Sequence, residues 1–201
     1  MKLESYKKGA SHAGLTFEEW TVEWWRWALS IPHVKNPVVE QTGEHAAQNQ
    51  PANAWFLAGV FAEENETKKF PSRKCTIPYG VPILIPILNC AADDIHYPEL
   101  KDDKAIVEHV SKQFERVEEK ECIVNDEIVA PERVASHPRV FDLYVHPDFD
   151  SFHRGGNSRA SAEGYWVFLK PPPKGKYIIK FQGAYERGAL RSGATYTVSV
   201  R

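Results

Sequence analysis

The segment His146-Pro147-Asp148-Phe149-Asp150-Ser151-Phe152-His153 brings two imidazoles and two carboxylates into one short stretch. On an extended chain, His146, Asp148 and Asp150 point to one side. His153 returns to them from the loop that follows. This donor set suits a divalent Zn, Mn or Fe ion, and an open coordination position permits metal-assisted hydrolysis. His146 and His153 are then metal ligands, and Asp148 and Asp150 are catalytic groups. The segment matches no standard metalloenzyme spacing. The plainer reading is a polar strand end, broken at Pro147, that runs into a surface loop.

Asn89-Cys90-Ala91-Ala92-Asp93-Asp94-Ile95-His96 follows a buried strand, where a rigid scaffold can hold a site. Asp93 as a catalytic group and His96 as a ligand complete the first cluster if the fold joins the two loops. Asn89 is a candidate ligand contact, or else it satisfies turn backbone groups. Cys90 with His96 makes a Cys-His nucleophile only if the fold supplies the geometry. Glu19 and Glu23 are helix neighbours and can form an acid and base pair. The structural alternative makes Glu19 a capping residue and pairs Glu23 with Arg26. Arg154-Gly155-Gly156-Asn157-Ser158-Arg159 reads as an anion-binding loop or a surface loop, and it matches neither a Walker A nor a GxGxxG pattern. Arg154, Trp55 and Tyr144 join Asn89 as candidate ligand contacts. No GxSxG is present to support Ser-His-Asp catalysis.

Positioning these groups falls to a predicted mainly β (α+β) domain spanning 1–201, an antiparallel β-sandwich or jelly roll with two added helices. Thr16-Phe17-Glu18-Glu19 is a capping box, and the helix it opens runs over about 16–30 to Pro32. Phe17, Trp20, Trp24, Trp27 and Ile31 recur at helical spacing, so the helix Trp set reads as core, the alternative being exposed faces for sugar rings or bases. A second helix is expected over about 100–119. Asn36–Asn53 reads as a long polar loop. Short strands are expected at Ala54–Phe61, Cys75–Pro78 and Ile83–Asn89, with prolines at edges or bulges. Ile123–Val129 reads as a hairpin around Asn125-Asp126. Phe141, Leu143 and Val145 alternate with Asp142, Tyr144 and His146. Tyr177, Ile179 and Phe181, and then Tyr196, Val198 and Val200, repeat the two-residue period.

The 201 residues are 42% hydrophobic and 26% charged, which argues against wholesale disorder. A net charge of -2 argues against a nucleic-acid partner. The apolar run Val81–Leu88 is too short to span a membrane, and two prolines interrupt it. The polar start MKLESYKKGASHAG has no apolar leader, which predicts a cytoplasmic protein. Cys75, Cys90 and Cys122 are widely spaced without a CxxC, so three buried thiols are expected, or one disulfide and a spare thiol.

Glu18-Glu19-Trp20…Trp24-Trp25…Trp27-Ala28 resembles the start of a family of uncharacterised bacterial proteins. Trp55-Phe56-Leu57-Ala58-Gly59, Cys75-Thr76-Ile77-Pro78…Pro86-Ile87…Asn89 and Gly164-Tyr165-Trp166…Leu169…Pro172…Gly175 extend the likeness over most of the chain. The resemblance implies a β-sandwich and no reaction. Many members look exported, so an extracytoplasmic location is the alternative it implies. Members often carry a Cys near Ala46 as a partner for Cys75, whereas this sequence has His45-Ala46 there. Three functions follow. The first is a module that binds a small molecule or glycan. The second is a metal-dependent hydrolase built on the His/Asp loops. The third is an interaction subunit, possible as a homo-oligomer, that docks through its Trp helix.

Overall fold

The computed structural model describes residues 3–63, 70–149, 155–185 and 190–201. Asp150, His153 and Arg154 lie outside the described residues.

The chain is mainly β, with two helices and two multi-stranded sheets in a sandwich-like arrangement. A small hairpin of β1 (Ser11–His12) and β2 (Leu15–Thr16) leads into α1 (Phe17–Ser30). The capping box forms as the sequence indicates. The Glu19 N–H donates to Thr16 Oγ1 at 3.3 Å, and the Thr16 N–H donates to Glu19 Oε2 at 2.7 Å. There follow β3 (Trp55–Phe56), β4 (Val60–Glu63), β5 (Ser72–Ile77) and β6 (Ile83–Asp93). Next come α2 (Asp103–Gln113), β7 (Val117–Val124), β8 (Glu127–Ile128), β9 (Glu132–Ala135) and β10 (Phe141–Val145). The last three strands are the long ones, β11 (Gly156–Leu169), β12 (Gly175–Tyr185) and β13 (Leu190–Val200).

The first sheet has the order β10-β11-β6-β3, with β9 also on β11. The second has the order β4-β13-β12-β7-β8, with β5 also on β13. Alternation along the strands fills the space between them. Ile83, Ile85 and Ile87 of the first sheet meet Tyr177, Ile179, Phe181, Tyr196 and Val198 of the second. The opposite face of the first sheet packs Trp166 and Phe168 against Phe17, Trp20, Trp24 and Trp27 of α1. α2 covers the remaining end of the first sheet through Val110, which packs with Leu88 and Ala92. Glu163 ties that end together. Its carboxylate accepts from Arg133 Nε at 2.6 Å and from Ser111 Oγ at 3.0 Å.

Several details differ from the sequence reading. The sheets are mixed, because β5 runs parallel to β13 and β3 parallel to β6. β5 and β6 therefore enter different sheets. α2 begins at Asp103, with the Asp102 side chain as its N-cap, and ends at Gln113. A 3-10 turn over Phe114–Arg116 separates it from β7. Val117–Glu119 therefore belong to a strand, held by pairing with β12. The charged run Glu118–Glu121 fits an exposed helix face and an outward strand equally well, and the pairing decides. The hairpin at Asn125-Asp126 is present, and both residues take positive φ, 47° and 67°. Pro86 stands at a bulge, since β6 skips Ile87 between the pairs Tyr165–Leu88 and Trp166–Pro86.

Residues 36–53 contain no helix or strand, and the segment is pinned at both ends. Asn36 is fully buried, donates to the Ala28 and Ile31 carbonyls and accepts from the Val38 N–H. Gln50 bonds the backbone N–H and carbonyl of Phe56. Arg73, with no exposed surface, donates to the Glu40 carbonyl, to Ala58 O at 2.6 Å and to the Tyr196 hydroxyl at 2.8 Å. The Glu40 carboxylate in turn accepts from the Thr42 and Gly43 N–H groups. Gly43, at φ +89°, passes so close to β5 that a Cβ would sit 2.5 Å from the Lys74 carbonyl. Both rims of this segment border clefts.

Candidate functional site

The capping box sets where α1 starts and hence which residues share a stripe. Glu23, Arg26, Trp27 and Ser30 follow the i, i+3, i+4, i+7 pattern of one helix face. This stripe overhangs β10, an edge strand of the first sheet. Arg26 Nε donates to the Asp142 carbonyl at 3.2 Å, and Arg26 Nη1 pairs with Glu23 Oε1 at 2.8 Å. Trp27 is held from the other side, because its indole N–H donates to the Gln48 carbonyl at 2.8 Å. On β10, Leu143 turns inward while Asp142 and Tyr144 stay exposed. Asn157 of β11 is the strand partner of Tyr144.

Together these residues line an open cleft of about 480 Å³, completed by Asn49, Pro51 and Phe56. Its surface is mixed in a particular way. Tyr144, 44% exposed, offers a ring face, while Trp27 and Phe56 border the cleft as buried side chains. The Glu23 and Asp142 carboxylates accept hydrogen bonds, the Asn49 and Asn157 amides accept and donate, and Ser30 adds a hydroxyl. A mostly apolar wall with a few placed polar groups is the usual build of a small-molecule site. Glu23 is occupied by Arg26, so this carboxylate serves as an oriented acceptor.

Comparison with protein-family models, with curated proteins and with solved structures returns no match. The site is therefore read from its own geometry.

Of the residues singled out in the sequence, Tyr144, Glu23, Arg26, Trp27 and Asn157 lie in this cleft. Trp55 lies in a second cleft, on the other side of the 36–53 segment, with Lys74, Thr197 and Ser199. Asn89 sits inside β6 opposite Gly164, not at a strand end, and it is buried with its amide nitrogen unpartnered. Gly164 makes room for it, since a Cβ there would lie 2.7 Å from Asn89 Cβ and 2.8 Å from Trp166 Nε1.

Asp93 closes the end of β6 as a turn residue. Its Oδ1 accepts from the Ile95 and His96 N–H groups, and its Oδ2 lies 2.5 Å from His96 Nδ1. His146 also serves its own turn, with Nδ1 accepting from the Asp148 N–H at 3.0 Å. Asp148 is exposed. Along β11, Val145 pairs with Gly156 and Asp93 with Ala160. Four residues of strand therefore separate the two loops, roughly 13 Å. Among the described residues no group of three or more His, Cys, Asp or Glu side chains is placed to hold a metal.

Cys90, Cys75 and Cys122 are free thiols. Burial pushes Cys90 up to about 11 and Cys75 and Cys122 up to about 12. Such thiols are poor nucleophiles near neutrality, the opposite of an activated cysteine. Trp20, Trp24, Trp25 and Trp27 are all buried, so the helix presents no exposed indole face.

The sequence reading missed Asn49, Phe56 and Asp142 as cleft residues and placed Asn157 in a loop, where the structure has it in β11. The stripe Glu23-Arg26-Trp27-Ser30 was the available signal, a polar and aromatic row beside an apolar helix face. Nothing local connects it to β10, which lies more than a hundred residues along the chain.

Proposed function

We propose that the protein is a binding module whose α1–β10 cleft takes a neutral saccharide or a similarly hydroxylated small molecule. The observation that carries this reading is the exposed Tyr144 ring beside the Asp142 and Asn157 side chains and the Arg26-held Glu23 carboxylate. A sugar ring has an apolar C–H face that packs on an aromatic ring and an equator of hydroxyls that both donate and accept. Carboxylates accept hydrogen bonds from the hydroxyls, and amides satisfy either role. Tyr suits this task because it offers a large, stiff surface at low entropic cost. The family resemblance brings no reaction with it, so the reading rests on the cleft.

Titration calorimetry against a panel of neutral mono- and oligosaccharides tests it. A binder from the panel should lose about tenfold in affinity in Tyr144→Ala and in Asp142→Ala. The folded state should persist, because both side chains are exposed. Failure of every saccharide to bind, or binding that both variants leave unchanged, overturns the reading.

A further inference from the structure

The outer face of the second sheet carries a different assembly. β5 lies parallel to β13 with Lys74 opposite Thr197 and Thr76 opposite Ser199. On the other side of β13, Lys176 of β12 stands opposite Ser199. Paired residues on neighbouring strands point the same way, about 4.8 Å apart. Thr76, Ser199 and Lys176 thus form one row across three strands, with Lys74 and Thr197 in the next. The 36–53 segment walls this face with Glu44 and Ala46, and the cleft so formed measures about 590 Å³.

Charge is concentrated here against the trend of the molecule. Lys74, Lys176 and Arg201 line the cleft with Glu44 as the one acidic side chain among the described lining residues, in a chain of net charge -2. Among the described residues, none of the three cations forms an ion pair, whereas Lys7, Arg26, Lys170 and Arg191 elsewhere on the surface do. The main-chain oxygen of Arg201 is engaged by the Tyr79 N–H at 2.7 Å. Trp55 borders the cleft from the inter-sheet core and is 6% exposed.

We propose that this cleft is a binding site for a small phosphate monoester, independent of the saccharide cleft. Lys74 and Lys176 supply point charges to the phosphate oxygens. The hydroxyls of Thr76, Thr197 and Ser199 complete the shell, since each donates one proton and adjusts its direction freely. The cleft volume lies within the range of organic ligand pockets and so accommodates more than an oxyanion alone. It has no exposed aromatic face for a nucleobase, which favours a phosphorylated polyol or sugar over a nucleotide.

The test is calorimetric titration of the full chain with glucose 6-phosphate, inorganic phosphate, glucose and sodium sulfate at matched ionic strength. Glucose 6-phosphate should bind, and its affinity should fall about tenfold in Lys74→Ala and about a hundredfold in Lys74→Ala/Lys176→Ala. Binding should weaken as salt rises. Stronger binding of the ester than of inorganic phosphate supports a site for the whole ligand, and equal binding reduces the proposal to an oxyanion site. Equal responses to phosphate and sulfate that the double variant does not change would mean ionic screening only and overturn it. So would silence of both phosphates in a protein whose thermal midpoint matches the wild type. Tyr144→Ala should leave this binding intact, which separates its failure from that of the saccharide reading.

Discussion

The two clefts flank the same loop and differ in almost everything else. The first lies where a helix overhangs a sheet edge, and its walls are rings, amides and carboxylates. The second lies on an uncovered sheet face, and its walls are lysines and hydroxyls. The difference follows from what covers each sheet. α1 buries one whole face of the first sheet, so only the helix flank and the strand edge remain to receive a ligand. Among the described residues no helix packs on the outer face of β13 and β12, whose outward residues Lys176, Thr197 and Ser199 stay at least partly exposed. Alternation sends Val198 and Ile179 inward and leaves their neighbours to meet solvent or a ligand. A ligand at the first cleft gains chiefly from ring contact, and one at the second chiefly from charge.

The contrast can be broken in stages. The largest effect concerns Cys75, which lines only the second cleft. Burial raises its thiol to about 12, so thiolate is scarce at every pH well below that value. Disulfide-exchange labelling at mild alkaline pH should run roughly a thousandfold slower than for an unhindered thiol. It should become fast only in denaturant. A fast native reaction would show that the wall of the second cleft opens readily.

Next is Arg73→Met, which should damage both clefts together. Arg73 is the fully buried anchor that fastens the shared loop to β5 and Tyr196. Removing it strands the Glu40 carbonyl, leaves the Ala58 carbonyl with the Tyr196 hydroxyl as its donor, and should cost about 3–5 kcal/mol in urea unfolding. A variant that keeps wild-type stability and binding at both clefts would show that the loop is held by other means.

The smallest effect should fall on one cleft alone. Thr16→Ala removes the cap that starts α1, the source of Glu23, Arg26 and Trp27, and should cost about 1 kcal/mol of stability. The same capping hydrogen bonds hold the Glu19 carboxyl below its ordinary range. A carboxyl lowered in the folded state contributes stability above its unfolded pKa and loses it as pH falls through the folded value. The gap between wild type and Thr16→Ala should therefore be full near neutrality and narrow in acid below about pH 4. A gap that is flat with pH would mean that the Thr16 hydroxyl does not hold the Glu19 carboxylate, since Thr16→Ala keeps the backbone N–H bond to it.

Much of this architecture is legible in the chain. The capping box, the Trp stripe, the Asn-Asp hairpin and the alternating C-terminal strands each depend on neighbours within a few residues, and local chemistry decides them. The end of α2 was not legible, because Glu118-Glu119-Lys120-Glu121 suits a helix or a strand and only β12 selects between them. Asn89 was read as a strand-end residue because the strand continues through small, ambiguous Cys90-Ala91-Ala92. Tyr144 and Trp55 were legible as candidates, but not the clefts to which each belongs.

Sequence alone determined the two-residue and helical periods, and with them which side chains are buried and which are left outward. Tertiary structure decided which outward groups meet. Trp27 and Tyr144 share a cleft because α1 packs across β10, and Lys74 and Lys176 line one cleft because β5 and β12 both pair with β13. Burial preference is a property each residue carries along the chain. Proximity between distant residues is set by the register of strands and the docking of a helix, which depend on how the whole core closes.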